Sequence, residues 1–302
     1  MSHGADSVKS ILYALAANLA IALSKLAAAM ATGSGSMLAE AVHSFADCGN
    51  QGLLLWGLKT AGKPPSKDYP LGHGKEIYFW SFIVALMLFS IGGVFSIYEG
   101  LHKLAHPEPL AWPWVAVGVL AFGVVAESIS MWGVLKEINK TRGGKSLWRW
   151  VRESRQSELV VVLGEDAAAL LGLTFALVAI LLAIATGNPM WDALGSVAIG
   201  VLLVVVAAFI GTQIKGLLIG KSVEPDVDQA MRSWLTARPE ITRVFNLITL
   251  QMGSDVMLSL KAEFAEQGSQ TGLIDAINRV EDELQAAFPQ LTWVFVEPDN
   301  KD

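Results

Sequence analysis

Long apolar stretches separated by short polar segments fill the first 220 residues of the chain. A helix that crosses a bilayer needs about 20 mostly apolar residues. Six stretches reach that length, and they cover residues 10–32, 37–60, 78–103, 112–136, 158–186 and 191–215. Glycine and proline residues punctuate most of the segments between them. The pattern therefore predicts that residues 1–220 form an all-α bundle of six transmembrane helices. Membrane lipid would surround this bundle.

Beyond residue 220 the composition becomes that of an ordinary soluble domain. The periodicity predicts a helix, a two-stranded hairpin, an amphipathic helix and a last strand. These elements cover residues 226–238, 243–252, 255–264, 272–288 and 291–296. An α-β-β-α-β order is typical of ferredoxin-like α+β domains. We therefore expect residues 221–302 to form a cytoplasmic domain, and a domain of about 80 residues is small enough to gain stability by packing against a second copy.

The composition supports a membrane protein and excludes several other classes. Hydrophobic residues make up 53% of the chain and charged residues 17%, whereas a soluble domain is about a quarter charged. The net charge of −6 argues against binding to nucleic acid. Cys48 is the only cysteine, so the sequence excludes an intramolecular disulfide bond and a cysteine-based zinc cluster.

Lysine and arginine residues are concentrated in the segments that follow the second, fourth and sixth apolar stretches. Because positively charged loops remain on the cytoplasmic side, both termini are predicted to be cytoplasmic. The start of the chain, Met1–Lys9, is short, polar and without a small-residue cleavage site. This pattern at the start of the chain predicts a retained first helix rather than a signal peptide. The expected location is the inner, or plasma, membrane of a bacterium.

Ionisable residues interrupt the second apolar stretch. Such residues are costly inside a bilayer, so their presence there indicates a functional site. His43 and Asp47 are four residues apart and share one helical face, and Glu40 joins that face nearer the outer end. An imidazole nitrogen and a carboxylate oxygen at this spacing can hold one divalent ion. Two other interpretations stay open: His43 could be a hydrogen-bonded histidine of the bundle, and Asp47 could pair with Lys25.

The fifth apolar stretch carries two adjacent carboxylates, Glu165 and Asp166, in an otherwise apolar run. Such a pair is expensive to bury unless a cation lies against it. A metal ion held between the second and fifth helices would stabilise both sets of charges. The two side chains point about 100° apart on a helix, so one of them could instead meet a polar neighbour, and either could lead the coordination.

These residues resemble the signatures of the cation diffusion facilitator family. The resemblance rests on Asn18, Lys25, Gly35-Ser36, the segment AEAVHSFAD at 39–47 and the loop YPLGHGKE at 69–76. It implies export of zinc or a related ion in exchange for protons, and a homodimer joined through the C-terminal domains. The Glu165-Asp166 doublet, together with residues 217–220, looks like the branch that contains the mitochondrial zinc-transporter-like proteins.

The sequence departs from the family pattern in the fifth helix. Relatives usually carry a His/Asp-x-x-x-Asp pair there, whereas in this chain Val162 stands four residues before Asp166 and Val161 stands four residues before Glu165. The identity of the fourth ligand is therefore open. Secondary candidates are Glu127 as an outer-shell group or proton relay, His73 as a loop ligand or a loop-ordering residue, Asn50 as a lower neighbour of the site, and Glu40.

The expected function is transport of Zn²⁺, with Mn²⁺, Fe²⁺, Co²⁺ and Cd²⁺ as other cargoes, because a His-plus-carboxylate set suits these ions. The five histidines all precede residue 221, so we expect a C-terminal domain without a family-type zinc cluster. The alternatives are a passive metal channel and a non-transporting membrane sensor. The sequence has no open-site metal hydrolase arrangement and no phosphate-binding loop, so we expect neither an enzyme nor a cofactor.

Overall fold

The structure, a computed structural model, describes residues 3–301, with side chains from Asn18 onward. The predicted polar start at Met1–Lys9 lies outside the described side chains. The N-terminal helices are α1 (His3–Thr32), α2 (Gly35–Ala61), α3 (Glu76–Met87), α4 (Phe95–Ala105), α5 (Pro113–Thr141), α6 (Leu147–Glu153), α7 (Ser157–Thr186) and α8 (Met190–Ile219). Each of the six predicted apolar stretches therefore coincides with helix, and the fifth of them is α7.

Four helical spans are long and apolar enough to cross a membrane, namely Glu76–Ala105, Pro113–Thr141, Ser157–Thr186 and Met190–Ile219. This confirms a helical membrane domain. The helix α2 is not among the four, because its polar residues lower its mean hydropathy, and Asn18–Thr32 of α1 is a shorter apolar helix. The count of six transmembrane helices stays a prediction.

The third apolar stretch contains a seven-residue π-helical segment, Leu88–Val94, between α3 and α4. Such segments are rare and are often found at functional sites. Gly92 lies within it, and a Cβ atom added there would be 3.1 Å from Leu203 and 4.0 Å from Nδ1 of His43. The π-helical segment therefore packs directly beside one of the candidate ligands. Nothing in the hydrophobic pattern predicts it.

A short helix, α6, occupies part of the basic segment that the sequence analysis assigned entirely to a loop. It is followed by Arg155, whose side chain is only 8% exposed. The guanidinium donates hydrogen bonds to the carbonyl oxygens of Ser222 (2.6 Å) and Val223 (2.9 Å). Burial lowers the pKa of Arg155, but an arginine remains charged in proteins. It satisfies two carbonyl groups where the chain leaves α8.

The C-terminal region has the predicted α-β-β-α-β order of elements: α9 (Pro225–Thr236), β1 (Ile241–Met252), β2 (Asp255–Phe264), α10 (Gln270–Ala287) and β3 (Leu291–Pro298). The central strand β2 pairs antiparallel with β1 and parallel with β3. Gly253 has a φ of +70° at the hairpin turn, a conformation that favours glycine. Buried residues such as Leu247, Leu258 and Leu284 form the core of this small sheet domain.

Contacts divide the chain into two compact units. One contains residues 1–57, 80–146 and 157–214, and the other contains residues 58–79, 147–156 and 215–302. The second unit therefore includes the loop between α2 and α3, the start of α3 and the helix α6, in addition to the C-terminal elements. The candidate residues of α2, α5 and α7 all lie in the first unit.

Candidate metal site

One stripe of α2 carries Glu40, His43, Asp47 and Asn50, at spacings of three and four residues. Residues at these spacings lie above one another on one face of a helix. The side chains of Glu40, His43 and Asn50 are completely buried, and that of Asp47 is 16% exposed. The helix therefore places a row of ionisable and polar groups inside the protein rather than on a solvated surface.

His43 and Asp47 form the pair predicted from their spacing. Nδ1 of His43 lies 3.5 Å from Oδ1 of Asp47. Among the described residues, neither ring nitrogen of the buried His43 has a hydrogen-bond partner, and the same is true of Oδ1 of Asp47. Buried polar atoms normally have a partner. Three buried atoms therefore lack a hydrogen bond there, and each is of a type that coordinates divalent metal ions.

Glu40 is committed to a different contact. Nζ of Lys25 in α1 lies 3.2 Å from Oε2 of Glu40 and donates a hydrogen bond of 2.7 Å to Oγ of Ser44. Lys25 and Glu40 are both fully buried. Gly172 of α7 packs so closely on the Glu40 carboxylate that a Cβ atom would collide with it. Lys25 therefore forms its ion pair with Glu40 and not with Asp47, the partner that the sequence analysis considered.

The two acidic residues of α7 meet different helices. Oε1 of Glu165 accepts a hydrogen bond of 2.5 Å from Nδ2 of Asn50 in α2. Oδ2 of Asp166 accepts one of 3.0 Å from Oγ of Ser130 in α5. Their side chains are almost completely buried. The sequence did not indicate the role of Ser130, although its position three residues after Glu127 on one helical face was a usable signal.

A small cavity of about 20 Å³ brings these groups together. Its lining residues are Asn18, Ile21, Ser44, Asp47, Gln51, Glu127, Val162, Glu165 and Asp166. A volume of this size holds about one water molecule or one small ion. Four carboxylates from α2, α5 and α7 therefore face the same space.

The described side chains around the cavity do not form a coordination shell in this structure. Among the described side chains, from Asn18 onward, no three histidine, cysteine, aspartate or glutamate residues converge closely enough to hold one ion in this conformation. His43 contacts Asp47 but is not among the residues that line the cavity. Coordination by His43, Asp47, Glu165 and Asp166 stays a prediction, and it requires these side chains to move toward a common point.

From its position after Pro189, Asp192 of α8 would be interpreted as an exposed charge at a helix end. Its structural role is larger than that. It is 2% exposed. Its carboxylate accepts hydrogen bonds from the backbone N–H of Gly35 (2.7 Å) and the hydroxyl of Ser34 (2.6 Å), and the hydroxyl and N–H of Ser36 also donate to it. The carboxylate thus caps the first turn of α2, where N–H groups lack partners and a negative charge is favourable.

Replacing Asp192 with alanine should destabilise the helical domain. The variant leaves buried hydroxyl and N–H donors at the start of α2 without an acceptor, which typically costs about 1–3 kcal/mol. We expect a lower thermal unfolding midpoint for the detergent-purified variant. Asp275→Ala is the matched control, because Asp275 is exposed on α10. Equal midpoints for the two variants would show that the cap contributes nothing.

The remaining secondary candidate, His73, lies in the other compact unit. Its Nδ1 atom is 3.5 Å from Oε1 of Glu76, and its ring packs against Tyr69 with centroids 4.4 Å apart. These contacts match the loop-ordering role that the sequence analysis left open for it. They give His73 no second acidic or imidazole neighbour among the described contacts.

Comparison with known proteins adds independent information. Residues 11–213 match the family described as the cation efflux transmembrane domain. The chain is 36% identical over 243 residues to the frog (Xenopus laevis) protein named proton-coupled zinc antiporter SLC30A9, mitochondrial, which covers 80% of this chain and 44% of the relative. The human protein of that name is 33% identical over 247 residues, or 81% and 44% of the two chains.

A plant relative shows the same pattern. Metal tolerance protein C4 of Arabidopsis thaliana is 30% identical over 220 residues, which is 72% of this chain and 48% of the relative. The chain therefore spans less than half the length of these relatives. The part of the chain that matches the family, residues 11–213, contains α2, α5 and α7, so it includes the whole cavity.

Proposed function

Because the chain belongs to the cation efflux family, we propose that it is a transporter of divalent metal cations, with zinc as its main cargo and protons as counter-ions. Membership of the family confirms the predicted resemblance to cation diffusion facilitators and to their branch with mitochondrial zinc transporters. It also confirms the expectation that the chain is not an enzyme, since the matching domain and relatives are named for transport.

One structural observation carries the proposal. Carboxylates from α2 and α7 face one cavity inside a membrane-type bundle. The fully buried imidazole of His43 lies against one of them, and its two nitrogens have no hydrogen-bond partner in the part of the chain whose side chains the structure describes. Burying this much negative charge is tolerable when a cation or its replacement protons neutralise it. We propose that the ion binds to His43, Asp47 and one or both of Glu165 and Asp166.

The donor set suits the proposed cargo and its coupling to protons. Zinc accepts imidazole nitrogen and carboxylate oxygen in a tetrahedral shell, and Co²⁺, Mn²⁺, Fe²⁺ and Cd²⁺ can compete for such a set. A metal binds only when the imidazole is neutral and the carboxylates are ionised, so protons and metal compete for the same atoms. Alternating access of the cavity to the two sides of the membrane then exchanges one for the other.

The proposal includes the wider architecture predicted from the sequence. Six transmembrane helices over residues 1–220 would place both termini in the cytoplasm, as the positions of the lysine and arginine residues favour. Residues 221–302 would form a ferredoxin-like cytoplasmic domain that joins two copies of the chain. We propose a multi-pass protein of a bacterial inner membrane, although the similar SLC30A9 proteins are named as mitochondrial.

Flux measurements on purified protein test this function. Protein is reconstituted into liposomes that contain a zinc-sensitive dye, and zinc is added outside with and without an acidic lumen. We expect zinc entry to be several-fold faster with the proton gradient, and to fall to the gradient-free rate when a protonophore collapses it. Protein-free liposomes measure leakage.

The two alternative functions give different results in the same assay. A passive channel would pass zinc at a rate that depends only on the zinc gradient and the membrane potential. A membrane sensor would bind zinc with no flux above that of protein-free liposomes. Either result would exclude the antiporter.

A further inference from the structure

Glu127 on α5 occupies a position that the sequence analysis treated as an outer-shell group. It lines the same cavity as Asp47, Glu165 and Asp166. It lies near the middle of the apolar span Pro113–Thr141, where a carboxylate is costly without a cation or a proton. Its neighbour one turn later, Ser130, already contacts Asp166. The face of α5 that carries Glu127 is therefore directed at the acidic residues of α7.

Val162 occupies a position of α7 from which a metal ligand could have faced the cavity. It stands one turn before Asp166 on α7 and lines the same cavity, but a valine side chain has no donor atom. The α7 helix consequently contributes a hydrophobic surface at the place where a second ligand of an i,i+4 pair would project. The carboxylate of Glu127 faces this same space from the neighbouring helix, and α5 and α7 pack extensively against each other.

We propose that Glu127 is a direct ligand of the transported ion and replaces the missing donor at position 162. This inference rests on the proposed function, and it makes the site a three-helix site built from α2, α5 and α7. Oδ1 of Asp47 and the adjacent fully buried imidazole of His43 have no hydrogen-bond partner among the described residues. Because Asp47 lines the cavity that Glu127 faces, these atoms supply independent support that a cation belongs there. The resulting shell is rich in oxygen donors, so it should accept Mn²⁺ more readily than a shell with two imidazoles.

The test compares Glu127→Gln with Glu137→Gln. Both variants remove one carboxylate from α5, but Glu137 is 51% exposed and pairs with Lys140 on the surface. We expect Glu127→Gln to weaken zinc binding about 100-fold or more, because it removes a direct ligand and not an outer-shell partner, and Glu137→Gln to leave zinc binding unchanged. Equilibrium titration of the purified proteins measures both affinities. Adding Val162→Asp to Glu127→Gln returns a carboxylate to the cavity and should recover a large part of the lost affinity.

Cobalt spectroscopy distinguishes a ligand from a positioning residue. Co²⁺ bound to the protein gives ligand-field absorption bands that depend on its donor atoms. These bands should change in position or intensity in Glu127→Gln and not in Glu137→Gln. An unchanged spectrum would overturn the role of Glu127 as a ligand, whether or not its zinc affinity falls. If the wild-type protein gave no proton-driven zinc flux above that of protein-free liposomes, the proposed function itself would be overturned, and the two failures are therefore distinguishable.

Discussion

Asp47→Asn should abolish proton-driven zinc uptake. Asp47 is the residue that joins the two halves of the candidate site, because it contacts His43 within α2 and lines the cavity shared with Glu165 and Asp166. The substitution keeps the shape of the side chain but removes its charge and much of its ability to bind metal. Loss of an outer-shell partner typically lowers metal affinity 10–100-fold, so we expect loss of a direct ligand to reduce affinity and uptake by about 100-fold or more.

The control for this variant is Asp282→Asn, which alters an exposed aspartate of α10. Both variants should elute as single species in size-exclusion chromatography, which excludes misfolding as the cause of lost uptake. Uptake by Asp47→Asn within a factor of two of the wild-type rate would contradict coordination by Asp47.

Lys25→Met should cause the largest loss of stability among substitutions in the helical domain. The side chain of Lys25 is fully buried, and its ammonium group neutralises Glu40 and donates to Ser44. Breaking a buried ion pair by removing one partner typically costs about 3–5 kcal/mol, since an unpaired charge remains. We expect a marked fall in the thermal unfolding midpoint and in the yield of folded protein.

A double substitution separates the loss of charge balance from the loss of packing. Lys25→Met with Glu40→Gln removes both charges, so it should be more stable than Lys25→Met alone. Lys59→Met, at an exposed lysine of α2, is the matched control for the single change. If Lys25→Met and Lys59→Met unfolded at the same temperature, the ion pair would make no net contribution to stability.

The sequence predicts the outline of the fold from periodicity, and the cost of buried charge identifies the four carboxylates that line the cavity. Apolar stretches of bilayer length locate the long helices, and the spacing of His43 and Asp47 places them on one face of α2 whatever the tertiary structure is. Adjacent carboxylates at 165 and 166 identify a second polar surface on α7. These inferences need only local geometry and the cost of buried charge.

Tertiary contacts decide the features that the sequence left open or missed. The choice of Glu40 rather than Asp47 as the partner of Lys25 depends on how α1 packs against α2, which no spacing within one helix determines. Asp192 reaches the start of α2 across more than 150 positions of the chain. The π-helical segment at Leu88–Val94 arises from a one-residue irregularity in hydrogen bonding that leaves the apolar pattern unchanged.

Glu127 illustrates the same limit at the site itself. Its burial cost marks it as unusual from the sequence alone, but only the packing of α5 against α7 shows that it faces the cavity beside Val162. The valine at position 162 of α7 is thus accompanied by a carboxylate on α5 that faces the same cavity. The sequence contains both residues but not their proximity.

The most direct test of the account is the location of the bound ion. Crystals of the full chain soaked in zinc, with diffraction recorded at the zinc absorption edge, give an anomalous-difference peak at each bound ion. We predict a peak within about 2.0–2.2 Å of a His43 ring nitrogen and a carboxylate oxygen of Asp47, and at similar distances from carboxylate oxygens of α7. Peaks confined to other parts of the chain, with density for the ordered side chains of this cavity and none for an ion, would contradict a metal site shared by α2 and α7.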